Sequence, residues 1–225
     1  GTSDTQKHGL EQAFSRIFGG TAKFGKLTSF NLFPQFTLSI EDLEISGVTG
    51  GSVYADAIEV GFGTEDLLLK NRQIEKFHLK NLRMPEGSTF PAAVDIEDAG
   101  IYAGDTKETA KFTFSGQFGQ QPLKGQLAMV RKEGFNPKYS LAEHNDFTIN
   151  IGAVQVSGVY SPYLVIGGEF SRISFLAAKG DGQKSCALAE GKTIPSAEFL
   201  GKHLIEFSKI KGAKDFDALC GRMQQ

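Results

Sequence analysis

Four histidines, two cysteines and two glycine-rich stretches are the residues in this 225-residue chain whose types and spacing could do chemistry. His144 and Asp146 stand two apart in the tripeptide HND, which would suit a base and the carboxylate that orients it. No Ser or Cys occupies a nucleophile-elbow context to complete a triad, so the segment reads as a polar loop. His8 lies in the N-terminal tail, and His78 falls between Phe77 and Leu79, hence on the opposite face of a strand. His203 sits on the apolar stripe of a C-terminal helix, where a satisfied core histidine is expected rather than a ligand. Glu41, Asp42, Glu44, Glu59 and Glu75 alternate with apolar residues, which marks a solvated strand face and selects no acid/base pair.

GGTAKFGK at 19 and GVTGGS at 47 lack the Gly-Lys-Ser/Thr ending of a phosphate loop and precede no convincing helix, so both read as turns. Cys186 and Cys220 have no His or Cys at metal-ligand spacing. A disulfide between them and two unrelated buried thiols are both open readings; a disulfide would contribute about 3–4 kcal/mol in an oxidising compartment. No catalytic, cofactor-binding or metal-binding constellation emerges. The expectation is a protein that is not an enzyme and that carries no cofactor.

Composition narrows the partners. With 24 Lys+Arg against 26 Asp+Glu the formal net charge is −2, and no block of like charges offers itself to a phosphate backbone, so nucleic acid is not an expected partner. The 19 Phe, 5 Tyr and no Trp favour an apolar core or an apolar ligand over stacking on bases. No stretch of 18 apolar residues occurs, and GTSDTQKHG lacks the basic start and apolar run of a signal peptide. The opening Gly, where a natural protein would begin with Met, suggests a processed chain from which an anchor or signal has been removed.

The elements that would position any site are mostly strands, and one domain spanning 1–225 is expected. Leu10, Ala13, Phe14, Ile17 and Phe18 form one apolar helical stripe, ended by Gly19 and Gly20. From Thr21 the period becomes two. Phe36, Leu38 and Ile40 alternate with polar residues, and then the apolar set resumes on the other parity at Leu43 and Ile45. The same slip recurs from Val53, Ala55 and Ala57 to Ile58, Val60 and Phe62, and from Phe77 and Leu79 to Leu82 and Met84.

A strand that keeps its apolar residues on one face through such a slip needs a β-bulge or a break. Three slipped strands predict a mainly β, α+β protein with a strongly curved antiparallel sheet or half-barrel and amphipathic helices near both ends. Phe36, Leu38, Ile40, Leu43, Ile45, Val60, Phe62, Phe77 and Leu79 would then line a single apolar groove. In TEDLLLKN, Thr64 caps a turn whose Leu67, Leu68 and Leu69 close one end of the sheet.

Further strands are expected at 110–118 and 123–131, joined through GQQP, and over 145–159 and 163–178. A polar loop, KGDGQKSC, follows, and a helix is expected over 196–210 behind Pro195.

The order LEQAFSRIFGG, AKFGKL, NLFPQFTLSIEDLEISG and ADAIEVGFGTEDLLLKNRQIEKFHLKNLRM resembles the N-terminal region of the AsmA family of bacterial envelope proteins. The likeness covers about Leu10 to Met84, through Pro34, Leu38, Ile40, Leu43, Ile45, Ala55, Ala57, Val60, Leu67, Leu68, Ile74 and Leu79. It implies a domain on the periplasmic side of the inner membrane, held by an anchor that this chain does not contain. It further implies an apolar groove for phospholipid or fatty acyl chains, in phospholipid transport or outer-membrane assembly. The alternative is a structural component of an envelope complex, similar to the inner-membrane N protein of type II secretion, with its sheet fully plugged.

Overall fold

The computed structural model describes residues 4–18, 20–32, 35–48, 51–63, 73–87, 92–164, 167–179 and 182–225. The residues expected to form the leucine plug, Thr64 and Leu67 to Leu69, lie outside the described residues, as does Pro34.

Alternating apolar and polar residues dominate the sequence, and the described residues form thirteen strands in one antiparallel sheet. They are β1 (Thr21–Leu32), β2 (Gln35–Val48), β3 (Gly51–Gly63), β4 (Lys76–Met84), β5 (Val94–Ala103), β6 (Thr109–Phe118), β7 (Gln121–Lys132), β8 (Lys138–Ser140), β9 (Asn145–Ile151), β10 (Val154–Pro162), β11 (Gly168–Lys179), β12 (Gly182–Ala187) and β13 (Thr193–Pro195). The sheet is an up-and-down meander in which sequence neighbours pair. Two short strands lie off the path: β8 extends the edge of β7 beside β9, and β13 pairs with β11. Among the described residues, β1 and β12 end the order and do not pair with each other. An isolated bridge joins Ile74 to Tyr139, each N–H donating to the other's carbonyl at 3.0 and 2.8 Å.

The slips expected in β2, β3 and β4 are present, but they are not bulges. Gly25 of β1, Asp42 of β2, Asp56 of β3, Asn81 of β4 and Glu97 of β5 fall at one level across five neighbouring strands, as the flanking pairs dictate. Because each strand changes parity where its neighbour does, no pairing from β1 to β5 is offset at this level. Asp42 and Asn81 take φ of 53° and 51°, a left-handed conformation that Asp and Asn tolerate better than most residues.

Side-chain bonds tie the level together, with Asn81 Nδ2 and Arg83 each donating to the Asp56 carboxylate at 2.8 and 3.1 Å. β6 does not share the change, so the offset appears as a register shift between Ile96 and Asp98. There the backbone of β5 presses on β6, and a Cβ at Gly116 would collide with the Asp95 carbonyl oxygen.

Three helices accompany the sheet among the described residues. α1 (Asp4–Phe18) begins earlier than its apolar stripe. It runs beside the first edge strand, where the Ala22 N–H donates to Ser15 Oγ at 2.8 Å and the Phe24 N–H to Glu11 Oε2 at 2.9 Å. Thr21 to Lys26 of GGTAKFGK therefore open an edge strand rather than forming a turn, and helical side chains accept the N–H groups of Ala22 and Phe24.

α2 follows β13 as one helix of three parts: Ser196–Glu198, a π-helical turn over Phe199–His203, and Leu204–Ser208. α3 (Ala213–Met223) follows Gly212. KGDGQKSC, expected as a loop, contributes β12, whose backbone completes a hairpin with β11 from Ser174↔Ala187 to Lys179↔Gly182. The stretch 145–159 spans a hairpin, β9 and β10, turning at Gly152 with φ of 54°.

Two buried clusters result. One gathers Ala22, Phe24, Leu27, Ile40, Leu43, Ile45, Val53 and Ala55 from β1, β2 and β3, with Leu10 of α1 packed against it. The larger one joins the inner face of β5 to β12 to Phe199, Leu204 and Phe207 of α2 and to Phe216, Leu219 and Met223 of α3. Its aromatic centre stacks Phe170 on Phe199 at 4.3 Å, with Phe147 edge-on to Phe170 at 4.9 Å.

The same substitution at two glycines should have opposite effects. Gly116→Ala, meeting backbone, is expected to cost about 1–3 kcal/mol. Gly9→Ala, with open space around the new methyl in α1, is expected to stabilise by about 0.4–1 kcal/mol. Urea denaturation midpoints check both signs.

Candidate functional site

Cross-strand partners carry one apolar row across the inner face of the sheet. Ile40, Ile58, Leu79, Ala99, Phe114, Gly125, Ile149, Val156 and Phe175 are paired in succession from β2 to β11. At both ends of the row the side chains are buried in the two clusters. In the middle, on β4 to β6, the sheet is only partly covered, and a cavity of about 250 Å³ remains between it and α2.

Every side chain lining that cavity is apolar. Phe77, Leu79, Leu82 and Met84 come from β4, and Val94, Ile96 and Ala99 from β5. Phe112, Phe114 and Phe118 of β6, Leu123 of β7 and Ile149 of β9 form the far wall, and Leu200 and Leu204 of α2 form the roof.

The floor is aromatic and specifically shaped. Phe77 tilts against Phe112 at 5.9 Å, and Phe112 against Phe114 at 6.1 Å. The Phe114 ring lies over the backbone of Gly125, where any Cβ would collide with it, so the glycine fixes how far the ring can settle into the sheet. Met84 touches both buried clusters and bounds the cavity on the side of β1 to β3.

Of the nine groove residues expected from the sequence, Phe77 and Leu79 line this cavity. Ile40, Leu43 and Ile45 are buried in the smaller cluster, and Leu38 packs against it half-buried. Phe36 and Phe62 are cross-strand partners of intermediate exposure, and Val60 bridges Leu38 and Phe77 in register. The lining side chains from β5, β6, β7, β9 and α2 are not among those nine. Their signal was there in the alternation of Phe112, Phe114 and Phe118 and in the helical spacing of Leu200 and Leu204.

The polar candidates gather elsewhere. His78 faces away from the cavity and pairs with Asp98 at 2.6 Å, while the Tyr102 hydroxyl donates to the other Asp98 oxygen at 3.2 Å. Burial first, and then the Asp98 charge and hydrogen bond, push the Tyr102 hydroxyl above its ordinary range. His144 does not pair with Asp146. Its Nδ1 lies 2.9 Å from Ser161 Oγ, at an exposed position, and among the described residues no carboxylate bonds its other nitrogen.

His203 falls between Glu198 and Glu206 at 3.5 Å from each, and its buried Nδ1 has no hydrogen-bond partner. The expectation of a satisfied core histidine is therefore corrected. The π-turn places the ring where both carboxylates approach it without good hydrogen-bond geometry.

Cys186 of β12 and Cys220 of α3 are free thiols held side by side. Burial, reinforced by the hydrogen bond and charge of Cys220, pushes the Cys186 thiol up to about 12. No group of three His, Cys, Asp or Glu gathers as a metal site among the described residues, and no described helix is long and apolar enough to cross a membrane.

No family model, no curated protein and no solved structure matches this chain.

While both thiols are reduced, burial and the neighbouring Cys220 hold the Cys186 thiol protonated, which slows its alkylation in the native protein. At pH 8, iodoacetamide should label Cys186 at least about a hundredfold more slowly in the native protein than in urea, read by peptide mass spectrometry. The linkage has a definite sign. The thiol's contribution to stability is complete below about pH 8.5, where the unfolded thiol begins to ionise, and it is lost as pH rises toward the folded value of about 12.

Proposed function

We propose that this chain is a non-catalytic, AsmA-like protein of the bacterial envelope that holds the apolar chain of a phospholipid or fatty acid against its sheet. It would work on the periplasmic side of the inner membrane, in phospholipid transport or outer-membrane assembly. The observation that carries this reading is the cavity of about 250 Å³, bounded only by apolar side chains, between the middle of the sheet and α2. Such a space has nothing to offer a polar substrate, and an acyl chain fills it at no hydrogen-bonding cost.

The reading includes a strongly curved sheet, and one contact supports that in particular. Three strands separate β4 from β8, which would hold them roughly 19 Å apart in a flat sheet. Yet Ile74, two residues before β4, exchanges two hydrogen bonds with Tyr139 of β8. The order of helix, slipped strands and apolar parity supports the AsmA likeness. An oxidising compartment would also suit the adjacent thiols, and we propose that Cys186 and Cys220 form a disulfide there, tying α3 to the edge strand.

Size sets the kind of ligand. At about 250 Å³ the cavity lies below the range that encloses a drug-sized molecule, so it takes a length of one chain and leaves the headgroup in solvent. Each buried methylene adds about 0.8 kcal/mol, or roughly fourfold in affinity.

Displacement of a fluorescent fatty acid by a series of saturated acids should therefore show affinity rising about fourfold per carbon and then levelling once the chain outgrows the cavity. Phe112→Glu and Phe77→Glu, both on the lining, should abolish saturable binding, whereas Phe36→Glu should leave it in place. If the folded wild-type protein binds no chain of any length, the transport reading fails. The plugged-sheet assembly component then replaces it, with Leu200 and Leu204 as the plug.

A further inference from the structure

Among the described residues, large apolar side chains left in solvent are not spread evenly. Seven are exposed among the described residues, and all but Tyr54 stand at one end of the sheet: Tyr102, Val130, Phe135, Leu141, Tyr163 and Leu164. Two of them protrude almost completely. Phe135, in the connection from β7 to β8, is 92% exposed, and Leu164, in the connection from β10 to β11, is 88% exposed.

The two loops are neighbours, because Lys132 borders the hollow beneath Phe135 and also the hollow shared by Leu141, Tyr163 and Leu164. At the opposite end, the turn between β6 and β7 is Gly119 and Gln120, both exposed, and the turn between β9 and β10 is Gly152 and Ala153, both exposed.

We infer that this end of the sheet inserts its loop tips, Phe135 and Leu164, into the interfacial layer of a lipid bilayer. A protein partner would call for a continuous patch with an apolar centre, whereas among the described residues the two most exposed side chains project from separate loop tips, and Tyr102, Val130, Leu141 and Tyr163 at the same end are each less than half exposed. Tyr163 and Lys132 beside them have the apolar body and polar end that suit a bilayer interface. Lys132 and Lys138 are offset by Glu133 and Glu143 nearby, so attraction to anionic headgroups is not the driving force. Burial of the two tips is, and neutral lipid suffices. The inference adds a membrane-facing surface to the reading above and does not depend on the cavity, since vesicle binding and acyl-chain binding are separate measurements.

The absence of Trp from the chain supplies the test. Phe135→Trp and Leu164→Trp each introduce a sole tryptophan at a tip, and Gln120→Trp places one at the opposite end as a control. With phosphatidylcholine vesicles, emission from both tip variants should shift to the blue and be quenched by lipids carrying brominated acyl chains. Gln120→Trp should show neither effect. Phe135→Asp with Leu164→Asp should weaken vesicle flotation by at least about tenfold while leaving the unfolding midpoint unchanged, because neither side chain is packed. Unshifted emission from the tip variants, or an equal shift at position 120, overturns the inference.

Discussion

Adjacent strands in this sheet are hydrogen-bonded along most of their length, and that ladder obliges any change of parity in one strand to be matched in the next. A lone slip in β2 would send either its upper or its lower apolar set to solvent, or break its pairing with β1 and β3. The chain avoids both outcomes by placing the change at Gly25, Asp42, Asp56, Asn81 and Glu97, one level through five strands. Ile40 and Leu43 consequently enter the same cluster although they lie three apart in a strand. Where β6 stops following, between Ile96 and Asp98, the mismatch is absorbed against a glycine, and the cavity wall begins there.

Much of this was legible because parity is a local signal. The changes in β2, β3 and β4 could be read from which residues were apolar, and the turn at Gly119 and Gln120 from its glycine. What parity cannot report is whether neighbouring strands change at the same level, and so bulges were expected where the register is unbroken. β12 was hidden because GQKSCA carries few apolar residues, and its strand is held by backbone pairing with β11.

The site was harder to read. Phe77 and Leu79 were identifiable, but Phe112 and Phe114 meet them only through β5, and Leu200 arrives over a separation of more than a hundred residues. The closeness of His144 to Ser161 and of Cys186 to Cys220 likewise depends on pairing and packing rather than on spacing in sequence.

The two clusters differ in how they are finished. The larger is sealed by two helices and an aromatic stack, whereas the smaller relies on aliphatic side chains around Phe24 and on α1 at the sheet's margin. At that margin Glu11 and Ser15 accept the N–H groups of Phe24 and Ala22. These bonds occupy positions at which another strand could otherwise add to the sheet, so α1 protects against edge-to-edge association as well as burying Leu10. Between the two clusters the middle strands carry half-buried Phe77, Phe112 and Phe114, so this strip of the inner face is only partly sealed.

The meander bears on how such a molecule could grow. Because nearly all of its strands pair with sequence neighbours, a hairpin duplicated within the sheet would disturb only the two contacts at the point of insertion. Each added pair of strands would lengthen the apolar floor by roughly 10 Å. The length of the apolar floor is thus a quantity that gene duplication can raise in even steps, with the end helices left as they are.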